Sequence, residues 1–185
     1  MDNVLVVAYS NTGQSLRLAR LLCSHTGWPL ATIADEKPRA GAAGTLRCML
    51  DSLLRRKPAI RYEGPDPADF RTVVLVSPIW MRRLSGPMRS FVAGRCASLR
   101  RVAVISTMNS AGAENAVAEI GGMTACAPYL GSASLVHAVF TSREIDNGDF
   151  GGRLEEFARQ LQPGASIPHQ QSGIAPPMGN HRPAQ

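Results

Sequence analysis

The sequence predicts an α/β fold: a three-layer, doubly wound sandwich around a five-stranded parallel sheet in the order 2-1-3-4-5. Two observations lead to this prediction. Short aliphatic runs alternate along the chain with segments of helical periodicity. Most of the runs are continuously apolar, which is typical of parallel strands covered by helices on both faces. The 185 residues suit one such domain.

The predicted strands are short and rich in β-branched residues. Four are clear: Val4–Ala8, Val73–Val76, Val102–Ile105 and Leu135–Phe140. A fifth, Pro29–Ile33, is weaker. Since helical patterns alternate with these strands, right-handed crossovers would place the helices on both faces of the sheet.

The helical segments carry apolar residues at spacings of three and four. They cover Leu18–Leu22, Leu46–Leu54, Met88–Val92 and Leu154–Leu161, and Pro163 with Gly164 ends the last one. We expect the leucines of Leu46–Leu54 to pack on the core. The alternative is that they pack on a second protomer, which would make the protein a homodimer.

Composition divides the chain into two parts. Residues 1–162 contain all the predicted elements and form the expected domain. Residues 163–185 are rich in proline, glycine and glutamine with almost no aliphatic residues, so we predict a disordered tail.

Charge and residue usage exclude several function classes. The net charge is +6, but the arginines are scattered and lack interleaved aromatic residues, so nucleic acid is not favoured as a partner. No apolar run is long enough for membrane insertion, and we expect a cytoplasmic protein. The four cysteines form no CxxC pair and the four histidines have no metal-ligand spacing, so no metal site is predicted.

The turn after the first strand has the composition of a phosphate cradle. Backbone N–H groups at a helix N-terminus, a glycine and nearby hydroxyls can bind a phosphate monoester. The turn lacks both GxGxxG and the P-loop lysine, which favours a monophosphate over a dinucleotide or a nucleoside triphosphate. The alternative is that Ser10 or Thr12 only caps the helix. The candidate residues are Ser10, Asn11, Thr12, Gly13, Gln14 and Ser15.

The segment after the third predicted strand offers an aromatic side chain at the same sheet edge. It contains Pro78, Ile79, Trp80 and Met81, followed by Arg82 and Arg83. Since Trp80 follows a proline, we place it outside the strand, where it can cover a flat heteroaromatic ring. A tryptophan buried in the core is the alternative.

The loop after the fourth predicted strand is polar and glycine-containing. Its candidates are Thr107, Met108, Asn109 and Gly112, which can present N–H and amide groups to the edge of a ring. An ordinary loop capped by Ser110 is the alternative.

These three loops, in this order, resemble the flavodoxin family. The matching motifs are Ser-Asn-Thr-Gly-Gln-Ser after the first strand, Pro-Ile-Trp after the third, and Pro-Met-x-x-Phe in the helix that follows, with a small-residue loop after the fourth strand. The resemblance runs from Val4 to Gly112. It implies FMN as the cofactor, with its phosphate on residues 10–15 and its ring between the two later loops.

Two departures from the family pattern affect the expected partner. In the family that this chain resembles, flavodoxins that act as electron carriers are acidic. This chain is basic and carries Arg82 and Arg83 beside the ring-binding loop. The second ring loop also lacks the family's acidic and aromatic stretch. One face of the ring would therefore be open to a substrate or a second subunit.

Two function classes follow. The first is a flavoprotein for electron transfer, either a carrier that serves a redox partner protein or an oxidoreductase that takes electrons from NAD(P)H and passes them to a small acceptor such as a quinone. The second is a flavodoxin-like module without flavin that acts in binding or regulation. Receiver domains and small tyrosine phosphatases are disfavoured, because the acidic residues and the Cys-x5-Arg cradle that they need are absent.

Overall fold

The computed structural model describes residues 3–36, 41–108, 112–125 and 135–162. The strands are β1 (Val4–Tyr9), β2 (Leu30–Asp35), β3 (Ile60–Glu63), β4 (Thr72–Trp80), β5 (Arg83–Leu84), β6 (Val102–Met108) and β7 (Val136–Thr141). The α-helices are α1 (Gln14–Thr26), α2 (Gly41–Leu53), α3 (Gly86–Arg95), α4 (Ala113–Thr124), α5 (Ser142–Asn147) and α6 (Gly151–Leu161). The predicted tail, 163–185, lies outside the described residues.

Five parallel strands form the centre of the sheet in the order β2-β1-β4-β6-β7. This order is the predicted 2-1-3-4-5, and the α/β class is confirmed. The described sheet nevertheless has seven strands, so the predicted number was too small. β3 extends the sheet antiparallel to β2, and β5 pairs antiparallel with the end of β4. Both are short and lack the continuous apolar pattern that revealed the others.

The sheet is covered on both faces, as the apolar runs predicted. All six residues of β1 are buried. Alternate residues of the central strands enter two separate cores, one with α1 and α6 and the other with α3 and α4. Because the central strands are held on both sides, their carboxyl ends form a rigid edge from which the next loops leave.

Helix α2 differs from its prediction. Leu46, Leu50, Leu53 and Leu54 are exposed, so the expectation that these leucines pack on the core is wrong. The buried residues of α2 are instead Gly44, Cys48, Asp51 and Ser52. The spacing of apolar residues predicted the helix correctly but gave the wrong inward face.

Candidate functional site

The three predicted loops lie at one edge of the sheet. They follow β1, β4 and β6, which are adjacent and parallel, so their carboxyl ends meet. The pairing of Pro78 with Thr107 brings the ends of β4 and β6 side by side. Of the residues predicted for these loops, Asn109 lies outside the described residues.

The N-terminus of α1 has no side-chain cap. Its N-cap residue is Gly13, at φ 89° and ψ −19°, and no side chain there accepts a hydrogen bond from the first turn. The alternative in which Ser10 or Thr12 caps the helix is therefore wrong. The first N–H groups of a helix have no partner within the helix and carry its positive dipole end, so they can bind an anion.

The side chains of the first loop divide into two groups. Those of Ser10, Asn11 and Thr12 form no hydrogen bond within the described residues and are open to a ligand. Ser15, by contrast, is buried, and its hydroxyl lies 2.7 Å from the hydroxyl of Thr107. Ser15 thus ties the first loop to the end of β6 and has a structural role here.

Gln14 connects the first loop to a segment that sequence reasoning missed. The hydroxyl of Ser142 donates to Gln14 Oε1 at 2.6 Å, and Gln14 Nε2 lies 3.4 Å from Asp146 Oδ1. Both partners belong to α5, at the carboxyl end of β7. The loop after β7 therefore also borders the candidate phosphate site.

A signal for α5 was present in the sequence. Thr141 and Glu144 form a capping box, in which each side chain bonds the backbone N–H of the other residue. The backbone hydrogen bond from Thr141, supported by the Thr141 hydroxyl and Arg153, lowers the pKa of Glu144 below its ordinary value of 4.5. The pattern Thr-x-x-Glu after an apolar run could have located this helix.

The second predicted loop is the end of a strand and a tight hairpin. Trp80 is the last residue of β4 and pairs with Arg83, so its predicted position outside the strand was wrong. Pro78 does not end the strand, because β4 continues beyond it and pairs with β5. Met81 and Arg82 form the turn with φ 50° and 61°. Positive φ at both central positions matches the tight hairpin turn that usually contains asparagine or glycine.

Trp80 is half-buried and carries an unpartnered donor. Its indole Nε1 is buried, and no acceptor in the described residues bonds it. Leaving such a group unpaired costs about 1–3 kcal/mol. A ligand with an acceptor at this point would satisfy the N–H, which makes Trp80 the site residue with the clearest unmet hydrogen-bonding need.

The third loop starts from buried structure. Thr107 is buried, and Met108 is the half-buried last residue of β6. Gly112 is the N-cap of α4, at φ 110°, and no side chain of the described residues caps this helix. Ser110, the cap in the alternative interpretation, lies outside the described residues. Gly112 lies against the hairpin, since a Cβ there would be 2.4 Å from Cα of Arg82.

An open cleft of about 780 Å³ lies beside the hairpin, between the C-terminal end of α2 and α4. Of the predicted site residues that the structure describes, Met81 alone lines it. Arg82 and Arg83 also face it, together with Arg55 and Lys57 from the segment that follows α2. The cleft is distinct from the phosphate loop but shares the hairpin turn with the candidate ring site.

Two further findings bear on the sequence predictions. Within the ranges that the structure describes, no group of three histidine, cysteine, aspartate or glutamate side chains could hold a metal ion. Among the same residues, no helix is long and apolar enough to cross a membrane.

Comparison with known proteins gives structural matches without sequence matches. No family model matches the chain, and no curated protein matches it in sequence. A flavoprotein from Lactobacillus acidophilus, solved in complex with FMN, has a TM-score of 0.60 at 16% identity, covering 80% of this chain and 98% of the other. A candidate flavoprotein from Bacteroides eggerthii has a TM-score of 0.62 at 18% identity, covering 85% and 99%.

A third structure is more distant. RosB, solved with bound 8-demethyl-8-formylriboflavin-5′-phosphate, has a TM-score of 0.53 at 9% identity, covering 87% of this chain and 76% of RosB. At these identities the similarity concerns the fold. Together with the strand order, it confirms the flavodoxin-like fold that the three loops predicted.

Proposed function

We propose that this protein binds FMN non-covalently and uses it to transfer electrons. The observation that carries the proposal is the uncapped N-terminus of α1 behind Gly13, with the side chains of Ser10, Asn11 and Thr12 unused beside it. A phosphate monoester is the ligand that suits this arrangement, because it is a compact dianion that accepts several hydrogen bonds.

The donor set around the ring position fits a flavin. Trp80 offers both an aromatic surface and the unpartnered Nε1–H, and a flavin carries ring nitrogens and carbonyl oxygens that accept hydrogen bonds. Thr107, Met108 and Gly112 would border its other side. One structural neighbour is a flavoprotein solved in complex with FMN, and this supports FMN as the ligand here.

In this proposal the chain's residues orient the cofactor and set its potential. FMN, when bound, supplies the redox chemistry itself. Residues 10–15 would hold the phosphate, while Ile79, Trp80 and Met81 would fix the ring. Pro78 and the buried contact between Ser15 and Thr107 keep the loops in register, so the site is organised before the ligand arrives.

Between carrier and enzyme, the cleft favours an enzyme. It opens beside Met81 and Arg82, and its arginines could receive an anionic reductant such as NADH or NADPH. The expected reaction passes electrons from NAD(P)H to a small acceptor such as a quinone, in the cytoplasm. A carrier that serves a redox partner protein is the second candidate, favoured by the exposed hairpin turn.

Absorbance spectroscopy tests the proposal. The purified protein, titrated with FMN, should quench the fluorescence of the cofactor and shift its visible bands at one equivalent. The control is riboflavin, which lacks the phosphate and should bind at least tenfold more weakly. A protein that binds neither would point to the module without flavin. Turnover of NADH or NADPH with a quinone would then separate enzyme from carrier.

A further inference from the structure

Helix α2 presents an apolar face to solvent. Leu46, Leu50, Leu53 and Leu54 are between 43% and 57% exposed, and the nearby turn residue Met81 is 51% exposed. These five are the exposed large hydrophobic side chains of the described residues. Leu46, Leu50 and Leu53 share one helix face by their spacing, and Leu53 and Met81 line the same cleft. Exposed apolar patches on a soluble protein mark interaction sites.

This orientation of α2 is supported by polar contacts on its inner side. Arg89 is buried, and its guanidinium donates to the carbonyls of Asp51, Arg56 and Leu84. It also pairs with Glu119 at 2.5 Å. Turning the leucines inward would remove the bond from the buried Arg89 guanidinium to the Asp51 carbonyl, so this bond favours the observed orientation of α2.

Four cations border the apolar face. Arg55, Lys57, Arg82 and Arg83 line the cleft together with Leu53 and Met81. None of the four forms an ion pair within the described residues. The acidic residue of the cleft, Glu119, is already bound to Arg89, so the surface is strongly positive.

The backbone at this surface is strained. The non-glycine residues with positive φ in the described ranges are Arg55, Met81 and Arg82, at 51°, 50° and 61°. All three line the same cleft. Strained backbone that clusters at one place is typical of functional sites, and here it holds two cations and one apolar side chain at the surface.

We propose that this leucine–arginine surface, made of the five apolar side chains and the four cations named above, docks the protein on an anionic lipid bilayer. The leucines would enter the boundary between headgroups and acyl chains. The arginines and lysine would meet lipid phosphates, as in helices that lie in the plane of a membrane. The docking is peripheral and requires no spanning helix.

Charge and composition favour a lipid bilayer over a second copy of this chain and over another protein. In an isologous dimer about this cleft, a second copy would bring these cations close to the same cations, and Glu119, the acidic residue among those that line the cleft, is already paired with Arg89. The centre of a protein interface is enriched in aromatic side chains, methionine and arginine and depleted in lysine. This surface has no aromatic side chain and carries a lysine. Aliphatic chains ringed by cations suit lipid better.

Sedimentation with vesicles tests the proposal on the full chain. We expect binding to vesicles with one third phosphatidylglycerol, weak binding to pure phosphatidylcholine, and loss of binding at high salt. Arg55→Asn with Lys57→Gln should weaken binding about 30-fold. Asparagine tolerates the positive φ at position 55, so the fold should persist. The matched control is Arg17→Asn with Arg20→Gln, which removes equal charge from the exposed side of α1 and should change binding little.

A second pair tests the apolar contribution. Leu50→Ser with Leu54→Ser should reduce vesicle binding at least tenfold without loss of helical circular dichroism, because both leucines are exposed. Equal binding of this variant and the wild type would overturn the proposal. So would absence of binding to anionic vesicles, or a wild-type dimer that the serine variant converts to a monomer. Pyrophosphate added at constant ionic strength should leave the protein on the vesicles, because the exposed leucines contribute to binding. Complete displacement would overturn the proposal and show that the cleft cations bind a soluble phosphate ligand, such as the NAD(P)H of the proposed function.

Discussion

Gly112 lies against the backbone of Arg82, so closely that a Cβ on Gly112 would be 2.4 Å from Cα and 2.6 Å from Cβ of the arginine. Gly112 begins α4 and Arg82 forms the hairpin turn after β4. Since neither backbone can move away without disturbing its own element, this contact holds the start of α4 against the hairpin turn, and both would border the flavin ring.

We therefore expect Gly112→Ala to be strongly destabilising. The new methyl group meets backbone, and alanine disfavours a φ of 110°, so the free energy of unfolding should fall by about 3 kcal/mol. The control is Gly122→Ala in the same helix, where the space is open. That change should stabilise by about 1 kcal/mol because alanine is the better helix former. Urea unfolding of both variants measures the difference; equal effects would show that the contact with Arg82 is unimportant.

Gly13→Ala tests the phosphate loop. Nothing lies within 4 Å of its Cβ position, so the cost is the strain of a left-handed alanine, about 1–2 kcal/mol. Gly27→Ala is a close match, because Gly27 ends the same helix, also has positive φ and also faces open space. Both variants should lose similar stability, but only Gly13→Ala should weaken FMN binding, by tenfold or more in a fluorescence titration. Equal FMN affinities would place the phosphate elsewhere.

The sequence was sufficient for the parts of the fold that depend on hydrophobic periodicity. Val4–Ala8 and Val102–Ile105 are continuously apolar because their strands are buried on both faces, and both were predicted. Periodicity failed for α2, whose inward face carries Asp51, and the carbonyl of Asp51 accepts a hydrogen bond from the buried Arg89. A buried arginine that bonds three carbonyls from distant segments leaves no signal in the local pattern.

The site predictions depend on the same kind of local signal. Residues 10–15 were predicted to bind phosphate because the candidate donors lie in one short segment, and this assignment stays a prediction. The hairpin at Trp80 was misplaced, since a proline usually ends a strand and the partner strand β5 has only two residues. The contact between Ser142 and Gln14 spans 128 residues of sequence, and only the pairing of the strands brings them together.

Trp80→Phe separates the two roles of the indole. The variant keeps an aromatic surface and removes the unpartnered Nε1–H, so the apoprotein should be equally stable or more stable by about 1 kcal/mol. FMN affinity should fall about tenfold if the N–H bonds the ring. Trp28→Phe, in the core, should instead destabilise the protein and leave FMN affinity unchanged. A Trp80→Phe variant with wild-type FMN affinity would remove the indole hydrogen bond from the proposal.

His137 predicts a pH dependence of stability. Burial lowers its pKa below the ordinary 6.5, and its Nε2 lies 3.2 Å from the hydroxyl of Ser106. Between the folded pKa and 6.5 the unfolded chain binds more protons, so the free energy of unfolding should decrease as the pH falls below 6.5. His137→Gln should flatten this part of the curve. Proton NMR of the imidazole should show a midpoint below 6.5; a midpoint above it would contradict the assignment.

Arg82 and Arg83 should raise the reduction potential of a bound flavin, because positive charge stabilises the added electrons. Arg82 is exposed and Arg83 is half-buried, so solvent screens the effect and we expect a shift of tens of millivolts at most. Arg82→Asn with Arg83→Gln keeps a residue that tolerates positive φ in the turn. Its midpoint potential should be lower than that of the wild type in a dye-equilibrated titration.

The control for this prediction lies at the opposite edge of the sheet. Arg100 and Arg101 precede β6, so Arg100→Gln with Arg101→Gln removes the same net charge at the amino ends of the strands. That variant should keep the wild-type potential. Equal shifts in both variants would mean that the potential follows the net charge of the protein, whereas a shift confined to the Arg82 and Arg83 variant would place the hairpin turn next to the flavin.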